Sequence, residues 1–293
     1  MSMNPNIVLR DYFEEYLTFR AQEGNVSKTL VEHRRFLEGP LETAVGHKKV
    51  EDLRIIDRAA LIEAGKPYGI YGSQRAVVTF RQLCRFLNQR GTKLPFDWRD
   101  IETPKVPSKM VDYLTSDEIE KIRNAFNPNS MPGLRTRSLI EFLLDTGMRI
   151  GEACSVNRDD VNFDTHEIRI KNCKTHEDNV VYFTDRSAEW IKMYLGARRD
   201  KHPALFLSGR DRMLPLTSRN YIRAKTKNLG IKKKIGHHVF RKTCGTYLLQ
   251  NQVDIKSVQT LLRHKSERTT LRYYIGIDKE KCKVMHQAVM AGI

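Results

Sequence analysis

Cysteine is scarce and scattered. Five occur in 293 residues (Cys84, Cys154, Cys173, Cys244 and Cys282), and no two stand as Cys-x-x-Cys. An odd, dispersed set argues against a disulfide framework or a zinc site and fits a reducing cytoplasm. No apolar run reaches the ~18 residues that a membrane helix needs. The first ten residues, Met1 to Arg10, lack the apolar core of a secretory signal, so no membrane partner is expected. Three nucleotide and metal signatures are also missing: Gly-x-x-x-x-Gly-Lys-Ser/Thr, Gly-x-Gly-x-x-Gly and His-Glu-x-x-His. Asp159, Asp160 and Asp164 could hold a magnesium ion, but acids in such a stretch more often make turns and caps. No metal and no cofactor are expected.

Acidic residues are short relative to basic ones. Lys plus Arg number 51 and Asp plus Glu 35, a net charge of +16. Such a balance favours a polyanionic partner, nucleic acid foremost. The excess is uneven. Residues 1–105 carry 17 basic against 14 acidic side chains, and residues 106–293 carry 34 against 21. The second part is therefore the expected seat of phosphate contact. Between the two, Thr103-Pro104-Lys105-Val106-Pro107-Ser108-Lys109 holds two prolines, which disfavour helix, and has little to bury. This divides the chain into a domain over 1–102, a linker over 103–112 and a second domain over 113–293.

The first domain reads as helical. Val8, Tyr12, Phe13, Tyr16 and Leu17 recur at helical spacing, and Ser27 looks like the cap of a helix carrying Leu30, His33 and Phe36. Over Ser73 to Arg90, one stripe holds Val77, Phe80, Leu83, Cys84 and Leu87. Arg75, Arg81 and Arg85 decorate its other faces, where they could meet a DNA backbone or simply be solvated. The second domain mixes helices with a small antiparallel sheet. Thr115, with Asp117 and Glu118 behind it, opens a helix. A strongly apolar helix over Ser138 to Leu144 ends at Thr146-Gly147, where glycine suits a left-handed stop. Glu167 to Ile170 and Asn179 to Phe183 alternate around a polar turn and predict a hairpin. Helices are expected over Ser187–Leu195, Ser218–Leu229, His238–Gln250, Ile255–Leu262 and Lys279–Met290. The fold class is mainly α with a small antiparallel β-sheet, in two domains.

What remains is a spaced set of cationic and proton-transfer groups. Arg149 lies in Thr146-Gly147-Met148-Arg149-Ile150-Gly151-Glu152, and Lys174 in the hairpin turn. His238 and Arg241 stand three apart, His264 follows Leu261-Leu262-Arg263, and Tyr273 closes Thr269-Thr270-Leu271-Arg272. Singly, each has a structural explanation: a surface arginine, neighbours on one helix face, a half-buried tyrosine. Together and in this order they resemble the tyrosine recombinase, or phage-type integrase, family. The resemblance covers the whole second domain, and the length and helical first domain look most like the short Xer-type members.

The resemblance implies roles by position. Tyr273 would be the nucleophile, Arg149 and Arg241 would clamp the scissile phosphate, and His238 and His264 would hydrogen-bond it or assist proton transfer. Lys174 would protonate the leaving oxygen. It further implies a site-specific DNA recombinase that forms a 3′-phosphotyrosine, with formation and resolution of a Holliday junction by a homotetramer on double-stranded DNA. The segment 279–290 would dock on a neighbouring protomer or on its own domain, and the protein would associate with the nucleoid. A partner recombinase or accessory protein stays open, as do a type IB topoisomerase-like activity and a binding protein without catalysis. The chemistry suits the cast. Two guanidiniums can grip non-bridging phosphate oxygens bidentately and stay charged at any relevant pH. A lysine makes a serviceable general acid, and tyrosine needs help with its proton.

The chain also departs from the family pattern. Arg263 and Cys173 stand where relatives carry glycine. Lys171 rivals Lys174, Tyr274 follows Tyr273, and His237 precedes His238. The step of nine from His264 favours Tyr273, and the step of three to Arg241 favours His238. Glu152 reads as a residue that orients a neighbour.

Overall fold

The computed structural model describes residues 7–25, 27–106, 112–170 and 179–264, together with Gln287 and Met290. Within the chain two compact units separate, Met1–Ser108 and Lys109–Ile293.

Unit one is helical among the described residues. A short 3-10 turn, Leu9–Tyr12, runs into α1 (Phe13–Gln22). Helix α2 (Ser27–Phe36) continues as a π-helical stretch, Leu37–Gly46, that carries Pro40. A proline removes one donor from the regular ladder, which is consistent with the widened turn there. Helices α3 (Asp57–Gly65) and α4 (Gly72–Gln89) complete the unit. The expected stripe of α4 is its core face: Val77, Phe80, Leu83, Cys84 and Leu87 are all buried, against Leu9, Tyr16, Phe36, Leu37, Leu41 and Leu61. Ile101 also joins this core, and the Pro104 carbonyl accepts from the Gln74 side chain at 3.2 Å.

Unit two begins at α5 (Ser116–Asn124), whose N-terminus is closed reciprocally. Thr115 Oγ1 accepts from the Glu118 backbone, and Glu118 accepts from the Thr115 backbone. Helix α6 (Met131–Thr146) starts seven residues before the apolar run that announced it. Ser130 caps it and Pro132 sits in its first turn, where a missing N–H costs nothing. Its early polar residues are inside. Glu141 is buried, accepts from Arg123 twice at 2.7 Å and from Arg137 at 2.8 Å, and forms an ion pair with Arg186 at 3.1 Å. A buried arginine such as Arg137 does not register as core in a hydropathy pattern, so the apolar run marks only the later part of the helix.

A six-residue helix, α7 (Ile150–Ser155), follows at once. Then comes a three-stranded antiparallel sheet in the order β1 (Val161–Asn162), β2 (Glu167–Ile170), β3 (Asn179–Tyr182). The hairpin register pairs Ile168 with Val181. Ile168, Ile170 and Val181 face the core, while Val180 and Tyr182 face outward, as strand alternation requires. The added strand β1 was not anticipated, because two residues carry no readable period. Helix α8 (Asp185–Ala197) packs on α6. A two-residue hairpin, β4 (Leu207–Ser208) and β5 (Asp211–Arg212), turns through Gly209 at φ 68°. Helices α9 (Pro215–Thr226), α10 (His237–Gln250) and α11 (Ile255–Leu261) follow. Helix α10 also packs on α6. Of the expected terminal helix over 279–290, only Gln287 and Met290 are described, both helical. No helix among the described residues is long and apolar enough to cross a membrane.

Candidate active site

The site is built where α6 stops. Gly147 takes a left-handed conformation, φ 58°, and its N–H returns to the Leu143 carbonyl at 3.2 Å. Glycine is needed twice over here. Few side chains adopt this φ, and an added Cβ would run into the Leu262 side chain and the Cys244 sulfur. The reversal lets Arg149 serve as the N-cap of α7, with Glu152 one turn on. Glu152 accepts from the Arg149 backbone N–H at 2.9 Å and from its guanidinium at 2.8 Å. The far end of α7 is held by Arg212 of β5, which donates to the carbonyls of Cys154, Ser155 and Val156. A helix this short is marginal alone; these contacts fix the platform on which Arg149 stands.

Helix α10 delivers the second arginine. Arg241 is buried, and its guanidinium donates to the Gly147 carbonyl at 2.5 Å and to the Leu262 carbonyl. It therefore ties the end of α6 to the end of α11. Arg149 makes the parallel connection, donating to the Arg263 carbonyl at 3.2 Å. Two arginines distant in sequence thus grip successive carbonyls of one segment, and the next residue of that segment is His264. The His264 backbone is fixed in turn: its N–H donates to the Gln259 carbonyl at 3.0 Å and its carbonyl accepts from the Gln259 side chain at 3.2 Å.

Electrostatics join the histidines to the arginines. Burial and the charges of Arg241, Arg149 and Arg263 lower the His264 pKa to about 4. His238 is lowered by desolvation and by the charges of Arg241, Lys242 and Arg149. Both shifts favour the neutral form of the rings. His237, the neighbour of His238, turns away from these arginines. Buried, it meets Ser218 Oγ of α9 at 3.0 Å, and desolvation lowers it to about 4. The exposed member of the pair is His238.

Arg149, Arg241, His238 and His264 are thus brought together. Tyr273, Lys174 and their rivals Tyr274 and Lys171 lie outside the described residues. In unit one, α4 does not gather its three arginines on one face. Arg75 pairs with Glu32 of α2, whereas Arg81 and Arg85 lie over the Trp98 ring at 5.7 and 5.9 Å. Asp160 accepts from the Asn157 backbone and belongs to a short turn. Among the described residues no group of three or more His, Cys, Asp or Glu side chains is placed to hold a metal ion.

Sequence reasoning missed two features. Arg263 reaches Glu152 at 2.9 Å, a contact across 111 positions that no local signal announces. A basic recess of about 200 Å³ is lined by Arg223, Lys227, Lys233 and Lys234. The run Lys232-Lys233-Lys234 before α10 was the available signal for it.

The fold is that of the tyrosine site-specific recombinases, and the relatives below place the chain among these enzymes, which break and rejoin DNA strands. The chain belongs to the phage integrase family, whose pattern matches residues 112–281. A tyrosine recombinase XerD of Staphylococcus saprophyticus is 27% identical over 291 residues, covering 93% of this chain and 96% of its own. A solved Tn1549 transposon integrase in complex with transposon right end DNA superposes with a TM-score of 0.81 at 15% identity, covering 97% of this chain and 100% of that one. A lambda integrase tetramer bound to a Holliday junction gives 0.72 at 19%, covering 89% and 78%. At such identities the structural likeness concerns the fold.

Proposed function

We propose that this protein cleaves and rejoins double-stranded DNA at a specific site through a 3′-phosphotyrosine on Tyr273. The observation that carries the reading is the convergence of Arg149 and Arg241 on the carbonyls of Leu262 and Arg263, with His264 next in the chain. The Tyr273 oxygen attacks the scissile phosphorus and the bond from phosphorus to the 5′ oxygen breaks. Lys174 hands its proton to that 5′ oxygen, and a neutral His264 or His238 takes the tyrosine proton. The new phosphotyrosine retains the free energy of the phosphodiester, so a 5′-hydroxyl can reverse the step on the same strand or on another. Arg149 and Arg241 hold the non-bridging oxygens as charge builds on them.

Two such cleavages on paired sites would give a Holliday junction, which a tetramer resolves with its other two protomers. The lambda integrase likeness supports this assembly. The region over 279–290 would dock on the neighbouring protomer. Residues 1–102 would bind DNA through the faces of Arg75, Arg81 and Arg85, with 103–112 as linker and 113–293 as the catalytic domain. The basic recess beside α9 and α10 would follow the phosphate backbone, and the enzyme would work on the nucleoid.

The test captures covalent adducts. Protein is mixed with fragmented host DNA and nicked random-site oligonucleotides, quenched with SDS, and any attached DNA is sequenced. Adducts that vanish in Tyr273→Phe while DNA binding survives are expected. Adducts that persist in that variant would make another residue the nucleophile.

A further inference from the structure

Arg263 occupies a position that local energetics disfavour. Its φ is +52°, the left-handed region where glycine is preferred. Its Nε is buried without a hydrogen-bond partner among the described residues. The left-handed turn closes the end of α11, with the Arg263 N–H on the Thr260 carbonyl and the His264 N–H on the Gln259 carbonyl, a task that glycine performs without the strain of a side chain. What the residue gains is specific. One terminal nitrogen donates to Glu152 Oε2 at 2.9 Å and the other to the Leu261 carbonyl at 3.1 Å, while its own carbonyl accepts from Arg149.

Glu152 is the point of contact between the two guanidiniums. One carboxylate oxygen, Oε1, meets the Arg149 guanidinium, and the other, Oε2, meets both the Arg149 backbone N–H and Arg263. Burial raises the carboxyl pKa, but the Arg149 backbone N–H, the Arg149 guanidinium and Arg263 together hold it below its ordinary range. With glycine at 263, the charge of Glu152 would be answered by Arg149 alone, and one of the two phosphate-holding guanidiniums would be largely cancelled. With arginine there, the carboxylate is shared.

We propose that Arg263 is a positioning residue of the phosphate site: it takes up part of the Glu152 charge, so that less of the Arg149 charge is spent on Glu152, and through Glu152 and its own carbonyl it keeps Arg149 aimed for the scissile phosphate. The inference rests on the recombinase reading above. It assigns to this chain a third guanidinium, one that acts on DNA through Arg149 without needing to touch it.

The experiment measures single-turnover adduct formation at saturating protein on a nicked duplex carrying the captured site. It compares wild type, Arg263→Gly, Arg263→Lys, Glu152→Gln and the Arg263→Gly/Glu152→Gln double variant. Glycine fits φ +52°, so Arg263→Gly should fold with a thermal midpoint close to that of wild type. Its cleavage rate should fall about tenfold, as loss of one indirect charge contact would give, with DNA affinity changed less than about twofold. Arg263→Lys should recover most of the rate, because it restores the counter-charge. In the Glu152→Gln background the same Arg263→Gly change should cost less than about threefold, since its target is gone. A wild-type rate in Arg263→Gly, or an equal loss in both backgrounds, overturns the proposal. Wild-type protein that forms no adducts would instead overturn the recombinase reading on which it rests.

Discussion

At the scale of single residues, the two arginines of the site differ in what their removal should do. Arg149 is exposed, and its ion pair with Glu152 is half solvated. Such pairs contribute on the order of 0–1 kcal/mol. Arg149→Ala should therefore leave thermal unfolding nearly unchanged while lowering adduct formation on the order of 10²–10³-fold. Arg241 is buried and satisfies the Gly147 and Leu262 carbonyls. Arg241→Ala should abolish adducts and also destabilise by about 2–4 kcal/mol, since buried acceptors are left without donors. Denaturant titration of both variants separates the cases; equal stability loss in the two would mean that Arg241 is not the tie described. Gly147→Ala should cost about 2–3 kcal/mol through the left-handed φ and the crowding against Leu262.

At the scale of elements, the buried carboxylate of α6 is the sharpest test. Glu141 is 2% exposed and answers Arg123, Arg137 and Arg186, of which the first two are largely inside. Removing one member of a buried charge cluster typically costs about 3–5 kcal/mol, because the partners lose their counter-charge. Glu141→Gln should lower the thermal midpoint of unit two by about 10 °C. A shift under a few degrees would mean that water reaches the arginines. This cluster also shows what a hydropathy reading of elements leaves out. The α4 stripe and the acid-rich start of α5 were legible because their signals lie within one or two turns of chain. The start of α6, the whole of α7 and strand β1 were not. Arg137 is inside only because Glu141 and Trp190 are there to receive it, and α7 is a helix because Arg212 holds its end.

At the scale of the whole molecule, charge and pH act together. His237 and His264 sit at about 4 in the folded chain, against about 6.5 when unfolded. Between these values the unfolded chain binds more protons. Stability is thus complete above about pH 6.5 and is lost as pH falls toward 4, by up to ~1.4 kcal/mol per pH unit for each histidine. Denaturant midpoints at pH 7.5 and 5.0 check this: the midpoint should be clearly lower at pH 5.0, and an unchanged midpoint would contradict the burial of both rings. With a net charge of +16, DNA affinity should drop steeply with salt, each neutralised phosphate adding about 0.9 to the slope of log K against log salt.

The order Arg149, His238, Arg241, His264, the helix stripes and the linker prolines are properties of neighbouring residues, and the chain shows them without any fold. The family was recognised by resemblance, from those residues in that order; phosphoryl transfer itself asks for the side chains and says nothing of their order along the chain. The meeting of Glu152 with Arg263, the turning of His237 toward Ser218 and the burial of Arg241 between two carbonyls involve residues 19 to 111 positions apart. Such contacts have no local period and no propensity. They exist only once α6, α10 and α11 have packed, and it is the packing that decides which cations stay exposed and which hold the scaffold.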